Sequence, residues 1–73
     1  MREINEIVAP NIKAIILKKD LKQSAVAKKA GYSRQQFNDM LKGRKVIRDT
    51  DIAKIAIALE VDANALFEKM EER

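Results

Sequence analysis

The sequence predicts an all-α protein, a compact five-helix bundle, and three observations predict it. Apolar residues recur at spacings of three and four along most of the chain, the period of a helix with one buried face. The 73 residues hold only two Gly and one Pro, so little interrupts that pattern. Where it does break, near Gly31, Gly43 and Asp62, a stop or cap residue stands at the break. At 47% hydrophobic and 36% charged the chain can fill one core, and its length suits a single small domain.

Val8, Ile12, Ile15 and Ile16 give a first helix ending near Lys19. Ile4 and Ile7 could carry the stripe backwards, but Pro10 costs about 3 kcal/mol in a helix interior. The expected start is therefore Ala9, with residues 1–8 an arm or extra turn. A second helix runs from about Gln23 to Ala30 with Val26, Ala27 and Ala30 inward, and Gly31 closes it. Ser33 with Gln36 has the form of a capping box, so a third helix begins at Arg34 and turns Phe37, Met40 and Leu41 inward as far as Lys42. Gly43 ends it. Arg44 to Arg48 reads as a basic loop. Asp49, Thr50 or Asp51 then caps a fourth helix with the stripe Ile52, Ile55, Ala56 and Leu59. Asp62 caps a fifth carrying Ala65, Leu66, Phe67 and Met70, and residues 71–73 fray. The domain spans about 9–70. Short helices with short links must bundle around one core.

Cysteine and histidine are absent, which removes disulfides, thiolate nucleophiles, Cys/His zinc sites and imidazole chemistry together. Ser24 and Ser33 have no base to activate them, and two isolated glycines build no phosphate loop. Neither an enzyme, a cofactor, a metal site nor a small-molecule effector is expected. Uncharged apolar runs such as Ala14 to Leu17 are far below the roughly 18 residues of a membrane span, so a cytoplasmic protein is expected. The charge is uneven. From Asn11 to Arg48 eleven basic residues face two acidic ones, a balance of +9, while Asp49 to Arg73 carries −4. Such asymmetry points to a polyanionic partner.

Two short helices joined by a turn containing Gly form the unit that offers its second helix to a DNA major groove. Ala27 allows the steep crossing, Gly31 supplies the permissive turn, and Phe37 and Met40 anchor the second helix from beneath. The stretch from Leu21 to Phe67 resembles the Cro/repressor-type helix-turn-helix family, which includes phage lambda repressor and small XRE-type bacterial regulators. Gln23, Val26-Ala27, Ala30-Gly31-Tyr32-Ser33, Phe37, Met40, Lys42-Gly43, Ile55-Ala56, Ala58-Leu59, Val61 and Leu66-Phe67 carry it. The resemblance implies a lambda-repressor-like fold with the helix-turn-helix over about 23–42, and a nucleoid-associated transcriptional regulator, repressor or Cro-like, of the kind found in phages and mobile elements. The sequence departs from the family at Glu60, where a Gly often follows the fourth helix, and at Leu41, where many members have Glu.

Carried over by position, base contacts fall on Arg34, Gln35 and Asp39, with Gln36 and Asn38 at the groove edge. Arg34 can grip guanine and Gln35 adenine, each with a two-pronged contact worth roughly 1–3 kcal/mol of discrimination. Gln36 has a competing task in the capping box. Asp39 accepts from cytosine, orients Arg34 or Arg44, or pairs with Lys42. Gln23 clamps a phosphate in this reading, and Lys22, Lys28, Lys42, Arg44, Lys45 and Arg48 add counterion-releasing contacts. Tyr32 either reaches a phosphate through its hydroxyl or packs over the turn. Useful specificity needs a homodimer on a palindromic operator with recognition helices about 34 Å apart, and Ile57, Phe67 and Met70 are apolar candidates for its contact. The competing reading is a protein-interaction module, an antitoxin or adaptor on the same fold, for which Leu41 and exposed apolar residues near the C-terminal end would argue.

Overall fold

The computed structural model describes residues 2–68, with side chains from Ile4 onward. Four α-helices and a 3₁₀ turn follow one another: α1 (Arg2–Lys18), α2 (Gln23–Ala30), α3 (Arg34–Leu41), α4 (Asp49–Leu59) and the turn Ala63–Phe67. Helix α2 packs on α3 and α4, and α1 lies across α3 and the 3₁₀ turn. Their shared core includes Val8, Ile12, Phe37, Met40, Ile47, Ile55, Leu59 and Leu66, all fully buried. The described helices are too short and polar to cross a membrane.

The expected arm is helix. α1 begins at Arg2 and carries Pro10 in its interior. Pro10 and Glu6, whose carbonyl loses its helical donor, are both exposed, so the broken backbone bond lies on the wet side. On the dry side Asn5, Val8, Ala9, Ile12 and Ile16 make one continuous buried stripe. Burying Val8 alone is worth about 1.5–3 kcal/mol. Asn5 adds three hydrogen bonds, two of them buried: its Nδ2 donates to the carbonyls of Met40 (2.9 Å) and Lys45 (2.8 Å), and its Oδ1 accepts from the Ile47 amide at 3.1 Å. At about 1 kcal/mol each these match the local cost of proline, and with the burial of Val8 they exceed it. Leu41 is buried in a groove that it lines with Asn5, Ala9 and Pro10 of α1, and so offers little surface to a protein partner.

The expected fifth α-helix is a five-residue 3₁₀ turn. Asp62 caps it as anticipated, its Oδ1 accepting from the Asn64 amide at 2.8 Å. It does not lengthen into an α-helix because Asn11 Nδ2 takes the carbonyls of Leu66 and Glu68, both at 2.7 Å, and Glu68 is extended. Met70 and residues 71–73 lie outside the described residues. α4 starts after Arg48, which serves as N-cap without a side-chain bond, while Asp51 Oδ2 accepts the Arg48 amide at 2.9 Å. Glu60 takes the left-handed conformation usually left to glycine, φ 60° and ψ 45°, and so closes α4 by the same geometry.

Candidate nucleic-acid interface

The turn between α2 and α3 is made by local rules. Gly31 sits at φ 92°, and the Tyr32 amide bonds back to the Ala27 carbonyl at 2.8 Å. A Cβ added to Gly31 would meet nothing, so the backbone angle alone demands glycine. Ser33 Oγ accepts the Gln36 amide at 3.0 Å while Gln36 Oε1 accepts the Ser33 amide at 2.9 Å, completing the capping box. Ala27, Phe37 and Met40 are fully buried, so α3 is seated from beneath and its outer face is held outward.

This seating brings the start of α2 against the first turns of α3. Lys22, Gln23, Ser24, Arg34, Gln35 and Asn38 line one concave face. Val26 is the first amide to enter the α2 ladder, bonding to Lys22 at 3.0 Å, so the preceding amides stand free of it. No acidic residue occupies that first turn and no side chain caps it, which leaves the positive end of the helix open to an anion. α4 differs: Asp49 and Asp51 occupy its first turn and take the amides of Thr50 and Arg48.

Asp39 joins α3 to the loop behind it. Its Oδ1 accepts from Gln35 Nε2 at 3.0 Å and lies 3.6 Å from an Arg44 guanidinium nitrogen, and its backbone carbonyl accepts the Arg44 and Lys45 amides. Lys45 and Arg48 border a second concavity with Tyr32, Gln36 and Asp51. There the Tyr32 hydroxyl donates to Asp51 Oδ1, its ring stacks on Phe37 at 6.3 Å, and Lys54 Nζ lies 5.7 Å above the ring centroid. Burial, then the hydrogen bond and charge of Asp51, push the Tyr32 phenol well above the usual tyrosine range. Its proton is committed within the protein, as the packing role requires.

The expected reading residues thus divide. Gln23, Arg34, Gln35 and Asn38 share the first concavity with Lys22, and Asp39 touches it through Gln35. Gln36 and Tyr32 are engaged by the cap and by Asp51. Lys42 turns to a groove against α1, beside Lys13, and Lys28 is exposed at the far end of α2. Ile57 is 75% and Phe67 46% exposed, so neither belongs to the core. Sequence reasoning missed Asn5, which ties the basic loop to α1, and Ile47, the buried residue within that loop. Asn5 did leave a signal: it falls in register with Val8, Ile12 and Ile16.

The family model of the Cro/C1-type helix-turn-helix DNA-binding domain matches residues 11–69, from the middle of α1 past the 3₁₀ turn. No curated protein and no solved structure matched the chain.

Proposed function

Because the chain belongs to the Cro/C1-type helix-turn-helix DNA-binding family, we propose that it is a sequence-specific transcriptional regulator that seats α3 in the major groove of double-stranded DNA. The observation that carries this reading is the first concavity, where an uncapped helix start and the outward face of α3 meet. Gln23 and the first amides of α2 hold one phosphate, fixing the distance of α3 from the backbone. Arg34 then reads guanine and Gln35 adenine, with Asn38 at the groove edge. Lys22, Lys28, Lys42, Arg44, Lys45 and Arg48, all exposed, supply the sequence-independent affinity.

One recognition helix reads few base pairs, so the operator is a palindrome occupied by two copies, with exposed Ile57 and Phe67 at the contact between them. Occupancy of such a site excludes other proteins from it, the action of a repressor or Cro-like protein. Selection of bound duplexes from a random pool tests the whole reading. An enriched palindrome whose bound affinity falls at least tenfold with Arg34→Ala, while non-specific binding persists, supports it. No binding to any duplex at low salt overturns it. The exposure of Leu17 (82%) and Ile57 favours the second reading, a protein-interaction module, and that outcome would promote it.

A further inference from the structure

Position within the family makes Asp39 a base contact, yet one of its carboxylate oxygens is engaged within the protein. One oxygen serves both Gln35 Nε2 at 3.0 Å and the Arg44 guanidinium at 3.6 Å. The Asp39 side chain is 27% exposed and that of Arg44 66%, so the acid lies beneath and the arginine outside. We propose that Asp39 is a specificity-determining positioning residue, which acts on DNA by fixing the orientation of the Gln35 carboxamide. This rests on the DNA-reading function above.

A free glutamine amide rotates between two orientations that present acceptor and donor in opposite order. The adenine edge offers the N6 donor and N7 acceptor in one order only. With Nε2 turned to Asp39, Gln35 keeps Oε1 and the second Nε2 hydrogen for a base, in a fixed arrangement. The reverse orientation would set Oε1 against a carboxylate oxygen, two acceptors in contact, so chemistry as well as geometry selects the first. Arg44 answers the difficulty of placing an acid near phosphate: its positive charge offsets that of Asp39 from the solvent side. The Asp39 carbonyl also accepts the Arg44 and Lys45 amides at 2.8 and 3.3 Å, so the brace and the basic loop share one anchor.

The test is duplex-pool selection with the wild-type chain, Asp39→Ala, Gln35→Ala and the double variant, read as base preference at each position. Asp39→Ala relaxes the position read by Gln35 by about tenfold and leaves the position read by Arg34 unchanged. Gln35→Ala relaxes the same position, and adding Asp39→Ala to it changes nothing further. Asp39→Asn, whose amide can donate to Oε1 as readily as it accepts from Nε2, no longer selects one orientation and relaxes the same position. A base position that Asp39→Ala alters even in the Gln35→Ala background makes Asp39 a direct contact and overturns the proposal, as does an unchanged preference in Asp39→Ala. The free wild-type chain gives a reading independent of both DNA and variant folding: the separation between the two Gln35 side-chain amide protons, present in any glutamine, is widened in the NMR spectrum because one of them meets a strong acceptor. Two amide protons alike in shift to those of a solvated glutamine overturn the brace. A wild-type chain that enriches no duplex removes the DNA-reading function and this inference with it, whereas an enriched motif indifferent to Asp39 removes this inference alone.

Discussion

Tyr32 is the one tyrosine in a chain without tryptophan, so its ionisation can be followed directly by near-ultraviolet absorbance. Its neutral form is the one the fold holds: buried against Phe37 and donating to Asp51, it ionises only above its unfolded value of about 10. Stability from this group is therefore whole below about pH 10 and falls as pH rises beyond it, because only the unfolded chain releases the proton easily. Denaturant unfolding at successive pH values should show this alkaline decline in the wild-type chain and lose most of it in Tyr32→Phe. At neutral pH that variant should be about 1–2 kcal/mol less stable, since Asp51 keeps only its bond to the Arg48 amide. An identical alkaline slope in both chains would contradict the assignment. Asn5 carries a larger share. Asn5→Leu leaves two carbonyls and one amide without their buried partner, and a loss of about 3 kcal/mol is expected in the same measurement. Legibility at this scale follows sequence distance. The Ser33–Gln36 cap spans three residues and was readable, whereas the partners of Asn5 lie 35 and 40 residues away.

Elements were legible wherever their own residues decide them. α2 is capped by Gly31 and α3 by Lys42 with Gly43 directly after it, both start at or beside polar residues, and their buried faces were those the spacing predicted. α1 and the C-terminal turn were misread for one shared reason: a buried asparagine in α1 overrules local preference at each. Asn5 and the stripe behind it outweigh the cost of Pro10, and Asn11 withdraws the carbonyls that a longer final helix would need. Glu60 is a further local conflict, a left-handed residue without glycine's freedom, as is Asp20 at φ 58°. A left-handed non-glycine residue costs about 1 kcal/mol, and the exposed pairing of Glu60 with Lys29 at 3.4 Å offsets little of that. Glu60→Gly should therefore stabilise the chain by about 1 kcal/mol and raise Tm by roughly 4–8 °C. An unchanged or lower Tm on thermal unfolding would show that the carboxylate contributes more than its exposure allows.

Across the whole molecule, the net charge of +4 says less than where charge can meet an anion. The start of α2 is open while that of α4 is closed by Asp49 and Asp51, so in the proposed complex α2 is the helix that meets a phosphate, beside the outward face of α3. Of the six cations proposed to meet phosphates, Lys22 lines the first concavity, Arg44, Lys45 and Arg48 lie in the loop after α3, Lys28 is at the far end of α2 and Lys42 faces the groove against α1. Each phosphate neutralised on duplex DNA contributes about −0.9 to the slope of log affinity against log salt. One chain using all six gives a slope of about −5, and two chains bound jointly to a palindrome about −11. Fluorescence anisotropy on the selected duplex from low to moderate salt measures it. Arg48→Ala should make the slope shallower by about 1 per chain without altering base preference, because a loop cation positions and does not read. Ile57→Asn probes the pairing itself: Ile57 lies outside the core, so the fold persists, and loss of its apolar contact returns the slope from the joint to the single-chain value. A joint slope that survives Ile57→Asn moves the contact between copies away from α4, and a single-chain slope in the wild-type protein removes the dimer while leaving the reading helix intact.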